Sequence, residues 1–212
     1  MSEDYGSCDP NSYFGVQIQV MREISQVLYS ITDQDVNKLI SLICDVLKRP
    51  TGKVCGFGAG RMGYGLRAFM MRLNHLGIPA YFIGDTFIPP LDENDIFIVT
   101  SGSGETRSVL KYLEIAKEKG VRTLAITGNS ESTMAKLADY SIVFKSSNGG
   151  LNSADNENKI NSIQPMTSLN EQSMFVFFDI IAVMLIKTIG IKKEDEKKFH
   201  FNIEWFLNLF TY

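Results

Sequence analysis

The chain has 212 residues, 44% of them hydrophobic, and a net charge of −3, the profile of one globular domain able to bury a sizeable core. Its 21 Lys and Arg are offset by 24 Asp and Glu, so there is no basic field for nucleic acid; Lys192-Lys193 and Lys197-Lys198, diluted by Glu194, Asp195 and Glu196, read as a solvated face. Cys8, Cys44 and Cys55 show no metal-ligand spacing, and the acidic start Met1 to Gly6 carries no secretory signal, so no metal is expected and a thiol-reduced, cytoplasmic residence is.

In chain order, Val16 to Ile31 has helical spacing. Val36, Leu39, Ile40, Ile43, Val46 and Leu47 repeat it, with Thr32 or Asp33 as the N-cap of a helix from Asp33 to Lys48. Pro50-Thr51-Gly52 breaks the chain, and Lys53 to Phe57 predicts a strand running into the glycine-rich Gly56 to Gly65 and a helix through Leu76. Further strands are predicted at Ala80 to Ile83, Ile96 to Thr100, Thr123 to Thr127 and Ser141 to Phe144, with helices at Val109 to Lys119 and Thr133 to Leu137. The continuous apolar runs Ile96 to Val99 and Leu124 to Ile126 mark strands covered on both faces, hence an α/β fold with a parallel sheet between helices. Ligands of such sheets bind at the carboxyl ends of strands.

Ser146 to Asn158, rich in Ser, Asn and Gly, reads as a connector or a lid. Met174 to Ile191 is apolar enough to be mistaken for a membrane span, but Asp179 and Lys187 interrupt it. It is expected as a helix buried in the core or at a subunit contact, with no membrane partner.

Two glycine-rich turns carry the chemistry. Ser101-Gly102-Ser103-Gly104-Glu105-Thr106 lies between a strand and a helix, where glycines admit a ligand to the backbone and hydroxyls add donors to the helix N-terminus. Without the lysine of a nucleotide P-loop it suits a monophosphate; a flexible Gly/Ser turn is the plain alternative. Gly58-Ala59-Gly60-Arg61-Met62-Gly63 formally matches a dinucleotide fingerprint, with Asp85 roughly 20 residues on as the ribose-binding acid. The second turn has no place in that scheme, and Arg61 suits a monosaccharide phosphate, so the sugar-phosphate reading is preferred.

These two turns, together with Arg67 to Gly77, resemble the sugar isomerase (SIS) domain family, and within it the 6-phospho-3-hexuloisomerases. The resemblance implies a five-stranded parallel, flavodoxin-like three-layer sandwich and a homotetramer or homodimer with sites near subunit contacts. The implied reaction is the interconversion of 3-hexulose 6-phosphate and fructose 6-phosphate through an enediol, without cofactor or metal. It places Gly60, Arg61, Ser101, Gly102, Ser103, Gly104, Glu105 and Thr106 around the sugar phosphate.

The chain departs from the family at Met62, where a serine is usual. The family pattern Pro-Leu-Gly-Thr-x-Phe-Glu is present as Pro165-Met166-Thr167-Ser168-Leu169-Asn170-Glu171, and His-Ala-Asn-Leu-Glu as His200-Phe201-Asn202-Ile203-Glu204. The resemblance makes Glu171, in apolar surroundings, the base that moves the carbon-bound proton, and His200 an acid or proton shuttle. The plain alternatives are a capping box with Ser168 as N-cap for Glu171, a surface position for His200 and a surface salt bridge for Arg61. His75 is expected to be a packing residue, and the tail Trp205 to Tyr212 a subunit contact. A catalytically silent sugar-phosphate sensor is the second functional reading.

Overall fold

Thr32 shows how local chemistry starts an element. Its hydroxyl accepts from the Asp35 amide at 3.2 Å while the Asp35 carboxylate receives the Thr32 amide, a reciprocal capping box that opens α2, Asp33–Leu47. The computed structural model describes residues 9–146 and 159–192. Before α2 comes α1, Tyr13–Tyr29, capped by the Ser12 hydroxyl. After it the chain alternates through β1 (Val54–Gly58), α3 (Gly60–His75), β2 (Ala80–Phe82), β3 (Ile96–Ser101), α4 (Arg107–Glu118), β4 (Arg122–Thr127), α5 (Thr133–Leu137) and β5 (Tyr140–Val143), and ends in α6 (Ser168–Ile189). The left-handed Gly190 stops α6.

The five strands are all parallel in the order β2-β1-β3-β4-β5, that of a flavodoxin-like doubly wound sheet. Alternation along β3 divides the core in two. Ile96 and Ile98 join α1, α2, α3 and α6 on one face, while Phe97 and Val99 meet Val109, Leu113 and Ala116 of α4 and Met134 of α5 on the other. The expected three-layer sandwich is therefore what forms.

At the amino edge of the sheet, the fully buried Asp95 accepts from the Lys53 amide at 3.0 Å and pairs with the Lys53 ammonium at 2.9 Å. That contact sets β1 and β3 side by side. At the carboxyl edge, a Cβ on Gly63 would lie 2.1 Å from the Gly58 carbonyl oxygen, and one on Gly58 would lie 2.2 Å from Thr100 Oγ1. Two glycines of the dinucleotide-like pattern are thus explained by close packing of α3 on β1. Met62 is buried in the same core and contributes to its packing.

Most boundaries differ from the sequence expectations by one to three residues, and the start of α6 by more. The first strand is shifted one residue later, the β2 strand ends at Phe82, and α6 begins six residues before Met174 because Ser168 to Ser173 interrupt its apolar pattern without breaking the helix. By length and composition α6 could cross a membrane, but it packs against α1, α2 and α3. One side of it lies in the core as expected, while Phe175, Val176, Ile180 and Val183 on another side are exposed in the single chain. Residues 147–158, most of the expected Ser146 to Asn158 loop, and the tail Trp205 to Tyr212 lie outside the described residues.

Asp139 ties three elements together. Its carboxylate accepts from the Thr123 amide at 2.8 Å and hydroxyl at 2.7 Å, at the start of β4, and from Lys117 of α4. Burial acts to raise this carboxyl, but the hydrogen bonds from Lys117 and Thr123 outweigh it and hold the group below the ordinary aspartate range. A carboxyl lowered on folding contributes stability above its unfolded-state value, about 3.9, and loses it as pH falls through the folded value. The stability difference between wild type and Asp139→Asn in urea unfolding is therefore expected to be full at pH 7 and to close below about pH 4. A difference that grows on acidification contradicts the assignment.

Candidate active site

Strand order reverses between β1 and β3, whose following helices go to opposite faces of the sheet, α3 to one and α4 to the other. Such a switch point opens a crevice at the strands' carboxyl ends. Gly58 pairs with Thr100 across it, so the turns after β1 and β3 are neighbours.

The second turn is knitted by its own hydroxyls. Ser101 Oγ lies 2.8 Å from Thr106 Oγ1 and 3.5 Å from Ser103 Oγ, and it accepts from the Gly104 amide at 3.1 Å. Ser103 Oγ accepts from the Glu105 amide at 3.2 Å. Gly104 has φ +70°, and a Cβ there would sit 2.2 Å from Ser132 Oγ, so glycine is required twice over. The Glu105 carboxylate accepts from the Thr133 amide at 2.7 Å and so braces the turn against α5. In the first turn Gly60 takes φ +59°, with nothing within 4 Å of where a Cβ would stand, leaving the backbone open to a ligand.

Helix caps mark the same place. Side chains of Ser12, Thr32 and Ser132 cap α1, α2 and α5, whereas α3, α4 and α6 start with no side-chain cap bond. The N-cap of α4, Thr106, lends its hydroxyl to Ser101 instead. First-turn amides of α3 and α4, with their positive dipole ends, thus stand beside the two turns and favour an anion there.

The third component arrives from α6. Glu171, in its first turn, receives Arg61 Nε on Oε2 and the Thr167 hydroxyl on Oε1 at 2.8 Å. The Glu171 side chain is 11% exposed and that of Arg61 67%. A Cβ on Gly102 would lie 3.2 Å from Thr167 Cγ2 and 3.6 Å from Asn170 Nδ2, so the second turn rests directly on the start of α6. Both turns and the carboxylate therefore meet.

Several expectations need correction. Thr167, not Ser168, is the N-cap of α6 and makes no cap bond, so Glu171 is not the acid of a capping box. Its immediate partners are a guanidinium and a hydroxyl, not an apolar wall. Arg61 is no plain surface salt bridge, because its partner is nearly buried. Asp85, the acid of the dinucleotide scheme, is paired with Arg67 at 2.6 Å and accepts from the Phe82 amide. His75 ends α3, at the opposite edge of the sheet from the turns. His200 lies outside the described residues.

Sequence reasoning passed over Asn170 and Ser173, both buried on α6 and without hydrogen-bond partners among the described residues for the Asn170 amide atoms or Ser173 Oγ. The signal was a pair of polar residues on the apolar face of a helix. No three His, Cys, Asp or Glu side chains among the described residues cluster to hold a metal ion. Burial pushes the Cys55 thiol up to about 12, so it is no nucleophile at neutral pH.

Comparison with known proteins agrees with this architecture. The SIS domain family matches residues 68–175. The 3-hexulose-6-phosphate isomerase of Bacillus subtilis (strain 168) is 32% identical over 186 residues, 88% of this chain and 96% of that protein. That of Methanocaldococcus jannaschii is 33% identical over 171 residues, 81% and 87% of the two chains. A crystal structure of a Methanococcus jannaschii protein, from which a molecular function of 3-hexulose-6-phosphate isomerase was inferred, superposes with a TM-score of 0.72 at 31% identity, covering 89% of this chain and 98% of that one. Family match, relatives of nearly equal length and a shared sheet agree: this chain belongs to the SIS domain family.

Proposed function

We propose that the protein is a sugar-phosphate isomerase interconverting 3-hexulose 6-phosphate and fructose 6-phosphate. The observation that carries this reading is the meeting of Glu171 with both turns, with the first through Arg61 and with Ser101–Thr106 through Thr167. The turn's hydroxyls and the first amides of α4 take the phosphate, and Gly60, Gly102 and Gly104 let it approach the backbone. Glu105 contributes by holding the turn against α5. Bound by a group remote from the reacting carbons, the sugar is held in place for proton transfer.

Glu171 takes the proton from C2 of the 3-ketose. The C–H electron pair becomes the C2–C3 double bond as the C3 carbonyl oxygen gains a proton, giving the enediol. Loss of the O2 proton then forms the C2 carbonyl, and Glu171 returns its proton to C3. His200 is assigned the transfers between the two oxygens. Arg61 exchanges Glu171 for a substrate oxygen on binding, which frees the base and leaves a fixed positive charge beside the developing enediolate. Acid–base side chains complete this route without redox chemistry, so no cofactor is assigned. The reading extends to a homotetramer or homodimer in a reducing cytoplasm, with the exposed apolar side of α6 covered by a second copy.

Four results test it. Incubating the pure protein with fructose 6-phosphate in deuterated water is expected to yield the 3-keto isomer with deuterium on carbon, and Glu171→Gln lowers kcat about a thousandfold, the scale of a lost general base, with substrate affinity kept. Normal turnover by that variant removes Glu171 as base. Ser103→Ala raises KM about tenfold, the scale of one hydrogen bond to a charged group, and an unchanged KM removes the serine from the phosphate site. In sedimentation, Ile180→Asp converts an oligomeric wild type to monomer; a monomeric wild type refutes the assembly.

A further inference from the structure

Glu23 sits within α1, 4% exposed, far from the turns in sequence and in no motif. Its carboxylate accepts four hydrogen bonds. Oε1 receives Gln19 Nε2 at 3.3 Å and the Ile163 amide at 3.1 Å, and Oε2 receives the Ser162 hydroxyl at 2.6 Å and Gln164 Nε2 at 3.2 Å. Three of the four donors belong to one tripeptide, Ser162-Ile163-Gln164. Burial acts to raise the Glu23 carboxyl, but these bonds overcome it and hold the group below its ordinary range, so it stays ionised without a cationic partner among the described residues.

The clamped tripeptide leads straight into the site. Pro165 and Met166 follow, the latter at φ +53° and 86% exposed, then Thr167 and the first turn of α6 with Glu171. A left-handed methionine in open solvent is not held there by its own packing. Apart from a single bridge at Ile160, residues 159–167 belong to no strand or helix; the Ser168 amide closes a turn onto the Pro165 carbonyl at 3.1 Å around Met166, and the stretch from Ser162 to Gln164 just before it is held by its bonds to Glu23. The body of α6 is anchored separately, through Met174, Phe177, Phe178 and Ile181 in the core.

We propose that Glu23 is a positioning residue for the reaction: by clamping Ser162 to Gln164 it fixes the arm that carries Thr167 and sets the direction in which Glu171 faces the substrate. This rests on the isomerase reading. The second turn touches Thr167 at Gly102, but its own path is fixed by β3 and by the Glu105 bond to α5, so a loosened arm is expected to disturb Glu171 more than phosphate binding.

The test compares wild type, Glu23→Gln and Ser162→Ala as full chains, by steady-state kinetics with fructose 6-phosphate and by amide hydrogen exchange. Glu23→Gln is expected to lower kcat at least tenfold with KM within about twofold, and to speed exchange across 162–171 while β1 to β5 stay protected. Ser162→Ala moves both readouts the same way by less, and carries the test if the glutamine variant does not fold. Wild-type kcat in both variants overturns the inference, as does faster exchange spread evenly over the sheet, which marks a general stability role. Should the wild type itself show no turnover, the isomerase reading falls, and localised against unchanged exchange still decides whether Glu23 holds the arm.

Discussion

Parallel pairing of β1 with β3 is the constraint on which the site depends. Because Gly58 stands opposite Thr100, the turns leaving the two strands have to start side by side, whatever residues they contain. Because α3 and α4 then depart to opposite faces, neither helix covers the gap. Lys53 and Asp95 secure the far edge of the same strand pair, so register is pinned at one end and used at the other.

The distribution of helix caps follows from this arrangement. Elsewhere a Ser or Thr satisfies the first-turn amides of a helix, but the helices starting at the crevice carry none of those bonds. Hydroxyls that do occur there, on Thr106 and Thr167, bond to Ser101 and Glu171 instead. Unsatisfied amides at a surface are available to an anion, whereas capped ones are not. The glycines divide labour in a comparable way: Gly58 and Gly63 serve packing, and Gly60 and Gly104 serve the shape of the turns.

Much of this was legible in the chain. Strands such as Ile96 to Val99 announce themselves because burial on both faces demands an unbroken apolar run, and the turns do so because few residues other than glycine fit them. What escaped notice depends on partners distant in sequence. Arg61 and Glu171 are 110 positions apart, and Glu23 reaches donors about 140 positions on, so neither contact leaves a periodic trace. The first turn of α6 was legible only as the alternative capping box at Ser168, because the buried polar Asn170 and Ser173 interrupt the apolar pattern that marks the rest of the helix. A polar residue in a core is judged by what it meets in three dimensions.

The Arg61–Glu171 contact bears on how a dianion could enter at all. A naked carboxylate at the mouth of the crevice would repel a phosphate ester across several ångströms of poorly screened space. With the guanidinium seated on it, the entrance is close to electrically neutral, and the pull of two helix ends acts unopposed. In the proposed reaction the base is thereby screened from the phosphate ester until the sugar has arrived.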